Sequence, residues 1–203
     1  MSFEAIRNES FENRSVTERS VAEMHNQINK LQEELNNLKD QLSEIISQKN
    51  KVSIVVFSGD LDRVLASMII ATGAASFGKE VTIFFTFWGI NSIKVKRNVK
   101  NKKWHQKLFS LLNPKSYSDL PVSKMNFLGI GAMMLKKMMK EKNVNTLEDL
   151  IKIAKDLGIR FVACEMSKDV LGIQDDELME GVESGGVAYF LSHALNSAMT
   201  IFI

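Results

Sequence analysis

Short runs of β-branched and aromatic residues, each followed by a turn and a helix-length segment, recur through the last three quarters of this chain. The first, Val52–Phe57, ends at Ser58-Gly59-Asp60; a helical stretch from about Asp62 to Phe77 and a turn at Gly78 lead to a second, Val81–Phe87. Strand, helix and strand at this spacing predict a parallel βαβ unit with a right-handed crossover. An amphipathic helix from about Thr146 to Leu157, a strand Arg160–Cys164, a helix around Asp175–Met179, another opened by Ser184-Gly185-Gly186, and a last strand Met199–Ile203 continue the alternation. Residues 49–203 are thus expected to form one doubly wound α/β domain of ordinary size for a single core.

The residues before it follow a different rule. Val21, Ile28, Leu35 and Leu42 alternate at steps of three and four with Met24, Leu31, Leu38 and Ile45, and Ile46 follows. This is a heptad repeat with the first set at a and the second at d, a seam too narrow for one helix to bury alone. A coiled-coil helix over 19–48 is expected, joining copies of the chain through Val21–Ile46; a single helix folded back on its own domain is the alternative. Glu34 at g and Lys39 at the next e attract across a parallel pair, while the other flanking positions are mostly uncharged, so the number of strands stays open. Residues 1–18 are polar and expected to be loosely ordered.

Composition narrows the function classes. Among 203 residues, 45% are hydrophobic and 26 Lys+Arg stand against 24 Asp+Glu, which excludes a disordered or fibrous chain. The start, Met1-Ser2-Phe3-Glu4, has no basic, apolar signal pattern, and the longest nearly apolar run, Val64–Gly78, stops at Lys79-Glu80. A cytoplasmic location is expected, with no membrane association. One cysteine excludes a disulfide framework and any Cys-x-x-Cys motif, and His25, His105 and His193 are scattered, so neither metal nor other cofactor is expected. No Gly-x-Gly-x-x-Gly follows the first strand and no Walker sequence occurs.

In open α/β sheets, ligands bind beyond the carboxyl ends of the strands. Ser58-Gly59-Asp60, Trp88-Gly89-Ile90-Asn91 and Cys164-Glu165-Met166-Ser167 converge there. Each has a plain alternative: the glycines turn the chain, Asp60 or Asp62 caps a helix, Trp88 plugs the core. Cys164 reads either as a small buried hydrophobe or as a thiol whose pKa falls beside a helix N-terminus, with Lys168 adding to the field and Glu165 opposing it. With no Thr two or three residues upstream and no second cysteine, a peroxidase is disfavoured.

Two further stretches stand out. Lys94, Lys96, Arg97, Lys100, Lys102, Lys103 and Lys107 fall within fourteen positions that contain no acid; such an excess suits an anionic partner, a cofactor phosphate or nucleic acid, but without a nucleic-acid motif a solvated loop is the preferred reading, and nucleic acid is not an expected partner. Met125–Met139 holds five methionines and a Gly129-Ile130-Gly131 hinge, which suits an adaptable lid, a partner-binding face or core packing.

Five blocks, in order, carry a family likeness. They are Ser58-Gly59-Asp60-Leu61-Asp62, Phe85-Thr86-Phe87-Trp88-Gly89, Ser123-Lys124-Met125-Asn126, Phe161–Ser167 with Asp169-Val170-Leu171-Gly172, and Gly181-Val182-Glu183 with Gly185-Gly186-Val187-Ala188. Over about residues 51–190 the chain resembles the DsrE/DsrF-like family, in particular its branch labelled "peroxiredoxin family"; the heptad segment lies outside that pattern. The resemblance implies a flavodoxin-like three-layer α/β/α fold with a mostly parallel sheet. It also implies homo-oligomeric assembly of the α/β domain and handling of sulfane sulfur by Cys164. The expected function is then a persulfide carrier or sulfurtransferase exchanging sulfur with donor or acceptor proteins or small thiols. Cys164 would be the nucleophile, and Ser58, Gly59, Asp60, Trp88, Gly89, Lys124, Met125, Met166, Ser167 and Lys168 would shape the pocket. A non-catalytic oligomeric adaptor and a small-molecule-binding module are the alternatives.

Overall fold

The computed structural model describes residues 3–99 and 102–203, which fall into two compact units, Met1–Ile46 and Ser47–Ile203. The first is a helix, α1 (Phe3–Lys49). It begins well upstream of the heptads and takes in most of the polar stretch expected to be loosely ordered; Met1 and Ser2 lie outside the described residues. The seam is uncovered: its eight a and d residues range from 48% exposed at Ile45 to 64% at Leu31. No helix among the described residues is long and apolar enough to cross a membrane.

The second unit runs β1 (Lys51–Val56), α2 (Leu61–Ser76), β2 (Glu80–Phe85), a 3-10 turn (Phe87–Ile93), α3 (Trp104–Leu112), α4 (Ile130–Glu141), α5 (Leu147–Asp156), β3 (Arg160–Cys164), α6 (Glu165–Leu171), β4 (Val182–Gly185), α7 (Val187–Ala194) and β5 (Met199–Phe202). The strands form one sheet in the order β4-β3-β2-β1-β5, and all four pairings are parallel. The chain therefore steps outward from β1 to β4 and then returns to the far side of β1. Since right-handed crossovers running in opposite directions must use opposite faces, the return places α7 on the face away from α2 and α5.

The strand residues sort accordingly, with a period of two. Ile54, Val56, Ile83, Phe85, Phe161 and Ala163 point into the larger core, against Val64 and Met68 of α2 and Leu150 and Ala154 of α5. Val55, Phe84, Val162 and Cys164 point the other way, into a small core whose buried helical contributor is Phe190 of α7. Phe190 stacks on Phe84 with ring centroids 4.9 Å apart. The α5 start is fixed by a capping box, in which Asp149 Oδ2 accepts from Thr146 N at 2.9 Å while Thr146 Oγ1 accepts from Asp149 N at 3.3 Å.

Three segments differ from the sequence expectation. Val182–Gly185, expected to lead into a helix, is the edge strand β4, and the helix waits until Val187. Asp175–Glu177 is a single 3-10 turn. The basic segment contains α3 and is not a solvated loop: Lys94 and Lys102 are buried. Lys102 Nζ lies 2.6 Å from Glu177 Oε2, and Lys94 Nζ donates to the Pro114 carbonyl at 3.2 Å. Removed from water, these lysines serve as internal anchors, because a buried charge is tolerated where a carboxylate or carbonyl meets it. Burial holds the Lys94 pKa below the ordinary lysine value, against the raising effect of Glu177. Lys100 lies outside the described residues.

The loops after β1 and β2 lock together through two glycines. A Cβ on Gly59 would stand 2.6 Å from the Trp88 carbonyl oxygen, and one on Gly89 would stand 2.0 Å from that of Val56. Gly89 N donates to Phe57 O at 2.9 Å, so the loop cannot back away without losing that bond. Gly89→Ala is expected to destabilise the α/β unit by about 3 kcal/mol, read as a lowered urea midpoint at unchanged m-value; a midpoint within error of the parent would refute the close approach.

Candidate functional site

Ser58, Gly59 and Asp60 come together with Trp88, as the sequence predicts, at the carboxyl ends of β1 and β2. Ser58 Oγ donates to Asp60 Oδ2 at 2.8 Å and accepts from Asp60 N at 3.1 Å. The tight turn that results starts α2, with Asp60 at its N-cap position but making no side-chain cap bond. The Asp60 carboxylate instead lies 3.6 Å from Arg63 Nε. Trp88 is partly exposed and lies nearly parallel to Phe109 of α3, with centroids 6.4 Å apart. Ser58, Gly59, Asp60 and Trp88, with Asn91, Pro114 and Pro121, line a hollow of about 290 Å³. Gly89 is buried behind it.

Asn91, Leu112, Asn113, Pro114 and Pro121 line this hollow although sequence reasoning left them out of the site. Asn91 is buried, and among the described residues its Oδ1 meets no hydrogen-bond donor. Its position in Trp88-Gly89-Ile90-Asn91 was the available signal; that its side chain faces inward depends on the 3-10 turn, which the apolar pattern does not reveal.

Lys124 and Met125 line a separate hollow of about 320 Å³ with Asp62, Phe127, Ile130 and Met134. Asp62 of α2 secures its rim, accepting from Ser123 N at 2.8 Å and from Ser123 Oγ at 2.6 Å. Met125 has φ 61°, an uncommon left-handed conformation for a residue with a side chain. Gly131 lets α4 approach it, since a Cβ there would meet the Met125 carbonyl at 2.2 Å. The Met-rich segment forms α4, with Met133, Met134 and Met138 exposed.

The thiol is set apart from both hollows, lining neither. Cys164 is the last residue of β3, opposite Gly185 of β4. It is 3% exposed, among Val55, Phe84, Val162 and Phe190. It occupies the N-cap position of α6 but makes no side-chain cap bond; alternating with Ala163, which faces the larger core, it points into the small core that Phe190 of α7 covers. Lys168, expected to act on the thiolate, is buried and otherwise engaged: its Nζ donates to Ser184 Oγ at 2.6 Å and pairs with Asp175. Ser167 Oγ lies 3.0 Å from Thr86 Oγ1, tying α6 to the end of β2. Met166 and Glu165 are exposed.

Another hollow, of about 330 Å³, lies at the opposite, amino-terminal edge of the sheet and includes Lys51, Ser53, Arg160 and His193. It is a full strand length from the Cys164 end of β3.

Residues 48–202 match the model of the DsrE/DsrF/DrsH-like family; α1 lies almost wholly outside the match. The chain is 42% identical over 157 residues to "Uncharacterized protein YrkE" of Bacillus subtilis (strain 168), covering 77% of this chain and 98% of that one. It is 29% identical over 165 residues to "Sulfur carrier protein DsrE2" of Allochromatium vinosum, covering 77% and 99%. Among solved structures, it is similar to the ychN protein from E. coli, at TM-score 0.46 and 13% identity over 76% of this chain and 99% of that one. It is also similar to MTH1491 from Methanobacterium thermoautotrophicum, at TM-score 0.42 and 15% identity over 75% and 99%.

Burial tends to raise the Asp62 carboxyl, but the two hydrogen bonds from Ser123, with the Asp62 backbone amide and the Arg63 charge, together outweigh it and hold the pKa below the ordinary value of 3.8. A carboxylate depressed in the folded state adds stability above its unfolded pKa and loses it as pH falls through the folded value. The Ser123 amide resonance should therefore shift with a midpoint below pH 3.8, and Asp62→Asn should abolish the transition. A midpoint at or above 3.8 would show that this clamp does not hold the rim.

Proposed function

The chain belongs to the DsrE/DsrF/DrsH-like family, and we propose on that basis that it carries sulfur between partners as a persulfide on Cys164. The observation that carries the reading is the position of the one thiol in the chain: it ends β3, at the carboxyl edge of the sheet, inside the family-matched region. The likeness to a protein named as a sulfur carrier supports it.

The exchange needs no other cysteine in the chain. The Cys164 thiolate attacks the outer sulfur of a donor persulfide, R–S–SH; a Cys164–sulfur bond forms, the donor S–S bond breaks, and its electron pair leaves with R–S⁻. An acceptor thiolate then attacks the outer sulfur of Cys164–S–SH, forms its own persulfide and returns the Cys164 thiolate. Each step is a displacement at sulfur that requires thiolate and a line of approach.

That line of approach is closed in the structure, with Cys164 only 3% exposed. The covering layer is α7, eight residues long, of which Phe190 is the buried one. An element with so few buried contacts opens at low free energy compared with the whole domain. On this reading α7 gates the thiol, and sulfur transfer proceeds from the opened form. The alternative favoured by the same burial is an adaptor whose Cys164 is only a packing residue.

Two measurements separate these readings. Reduced protein treated with polysulfide and weighed intact should gain sulfur, and Cys164→Ser should gain none; equal gain by both, or none by the parent, removes the carrier reading. Phe190→Ala should speed alkylation of native Cys164 at least tenfold, with the fold retained by circular dichroism. An unchanged rate would mean that α7 does not control access.

A further inference from the structure

From α1 and its sequence we infer that the partner of this helix is α1 of one second copy, aligned parallel and in register. The unit Met1–Ile46 is compact by itself, yet Val21, Met24, Ile28, Leu31, Leu35, Leu38, Leu42 and Ile45 are all about half exposed. An apolar stripe of period 3.5 extending roughly 36 Å along a helix is matched in spacing by a copy of itself.

The charges decide the direction. In a parallel pair Glu34 at g faces Lys39 at e of the other copy, and does so twice by symmetry. In the antiparallel pair that sets Val21 beside Ile45 and Leu31 beside Leu35, the two g rows face each other and Glu34 meets Glu34. One arrangement gives two attractions and the other a like-charge contact, which is how e and g residues select orientation.

The flanks decide the number. Gln27, Glu34 and Gln41 at g and His25, Gln32 and Lys39 at e are polar, Ile46 at the last e being the exception. A bundle of more strands broadens the buried face onto these positions, whereas a two-stranded seam leaves them in water. The seam itself is mixed: Val21 and Ile28 at a with Met24 and Leu31 at d favour two strands, Leu42 at a with Ile45 at d favours more, and the polar flanks decide for two. Because α1 ends at Lys49 and β1 begins at Lys51, parallel pairing makes both α/β units leave from the same end of the paired helices.

The test uses the full chain carrying Cys164→Ser and Met24→Cys, oxidised with diamide. Parallel pairing places the two residue-24 thiols side by side and should convert essentially all chains to covalent dimer. In the antiparallel arrangement they are roughly 27 Å apart and do not join. Asn26→Cys, at the outward f position, should cross-link at least tenfold more slowly, and adding Leu31→Asp and Leu38→Asp to the Met24→Cys chain should slow its reaction by a similar factor. The inference is overturned if residue 24 does not cross-link, if residue 26 does so equally fast, or if the aspartates have no effect. It is also overturned if about a third of chains stay uncoupled, the mark of three parallel strands. None of these outcomes depends on the sulfur chemistry of Cys164.

Discussion

The handedness of the crossovers governs this α/β unit. Three strands added in one direction from β1 bring α2 and α5 onto one face, where they bury Val64, Met68, Leu150 and Ala154 against the sheet. The reversal to β5 on the far side of β1 leaves a single short helix, α7, for the opposite face. The two cores are therefore unequal by topology, and the thin one holds Cys164. Apolar burial drives both, but the stabilisation scales with area, so the α7 side holds the smaller share of it.

Much of this organisation is legible in the sequence because parallel strands are covered on both faces and so appear as unbroken apolar runs. Val52–Phe57, Val81–Phe87 and Arg160–Cys164 stand out for that reason, and Thr146 with Asp149 marks a helix start. The signal fails where the chain is short or charged. Val182-Glu183-Ser184-Gly185 has an edge strand's polarity and only four residues. Lys94 and Lys102 read as solvated because nothing local announces Glu177, 75 positions beyond Lys102, as the group that admits Lys102 to the interior.

The candidate site shows the same division. The turn segments Ser58-Gly59-Asp60 and Trp88-Gly89 are local features, and they meet where strand order says they should. Which way a side chain points at a strand end is not local. Cys164 shares the parity of Val162, and its surroundings follow once β3 is placed between β2 and β4. Position in the chain locates the thiol at the carboxyl edge; only the sheet assigns it to the α7 face, away from the hollow beside Trp88 and the rim held by Asp62.

Burial and pairing bear on each other in the proposed chemistry. A persulfide is open to attack by any accessible thiolate, and tethering two chains raises the effective concentration of one domain near the other far above that of free molecules. If both thiols were exposed, the thiolate of one copy could attack the inner sulfur of Cys164–S–SH in the other, forming an intermolecular disulfide and expelling HS⁻. That reaction would discharge the carrier and block both sites. In such a pair Phe190, which packs on Phe84 in the small core that holds the thiol, would keep the sulfur of each copy away from its neighbour and leave access to a partner able to displace α7. On this argument the burial of Cys164 is what makes a single-cysteine carrier compatible with a paired assembly.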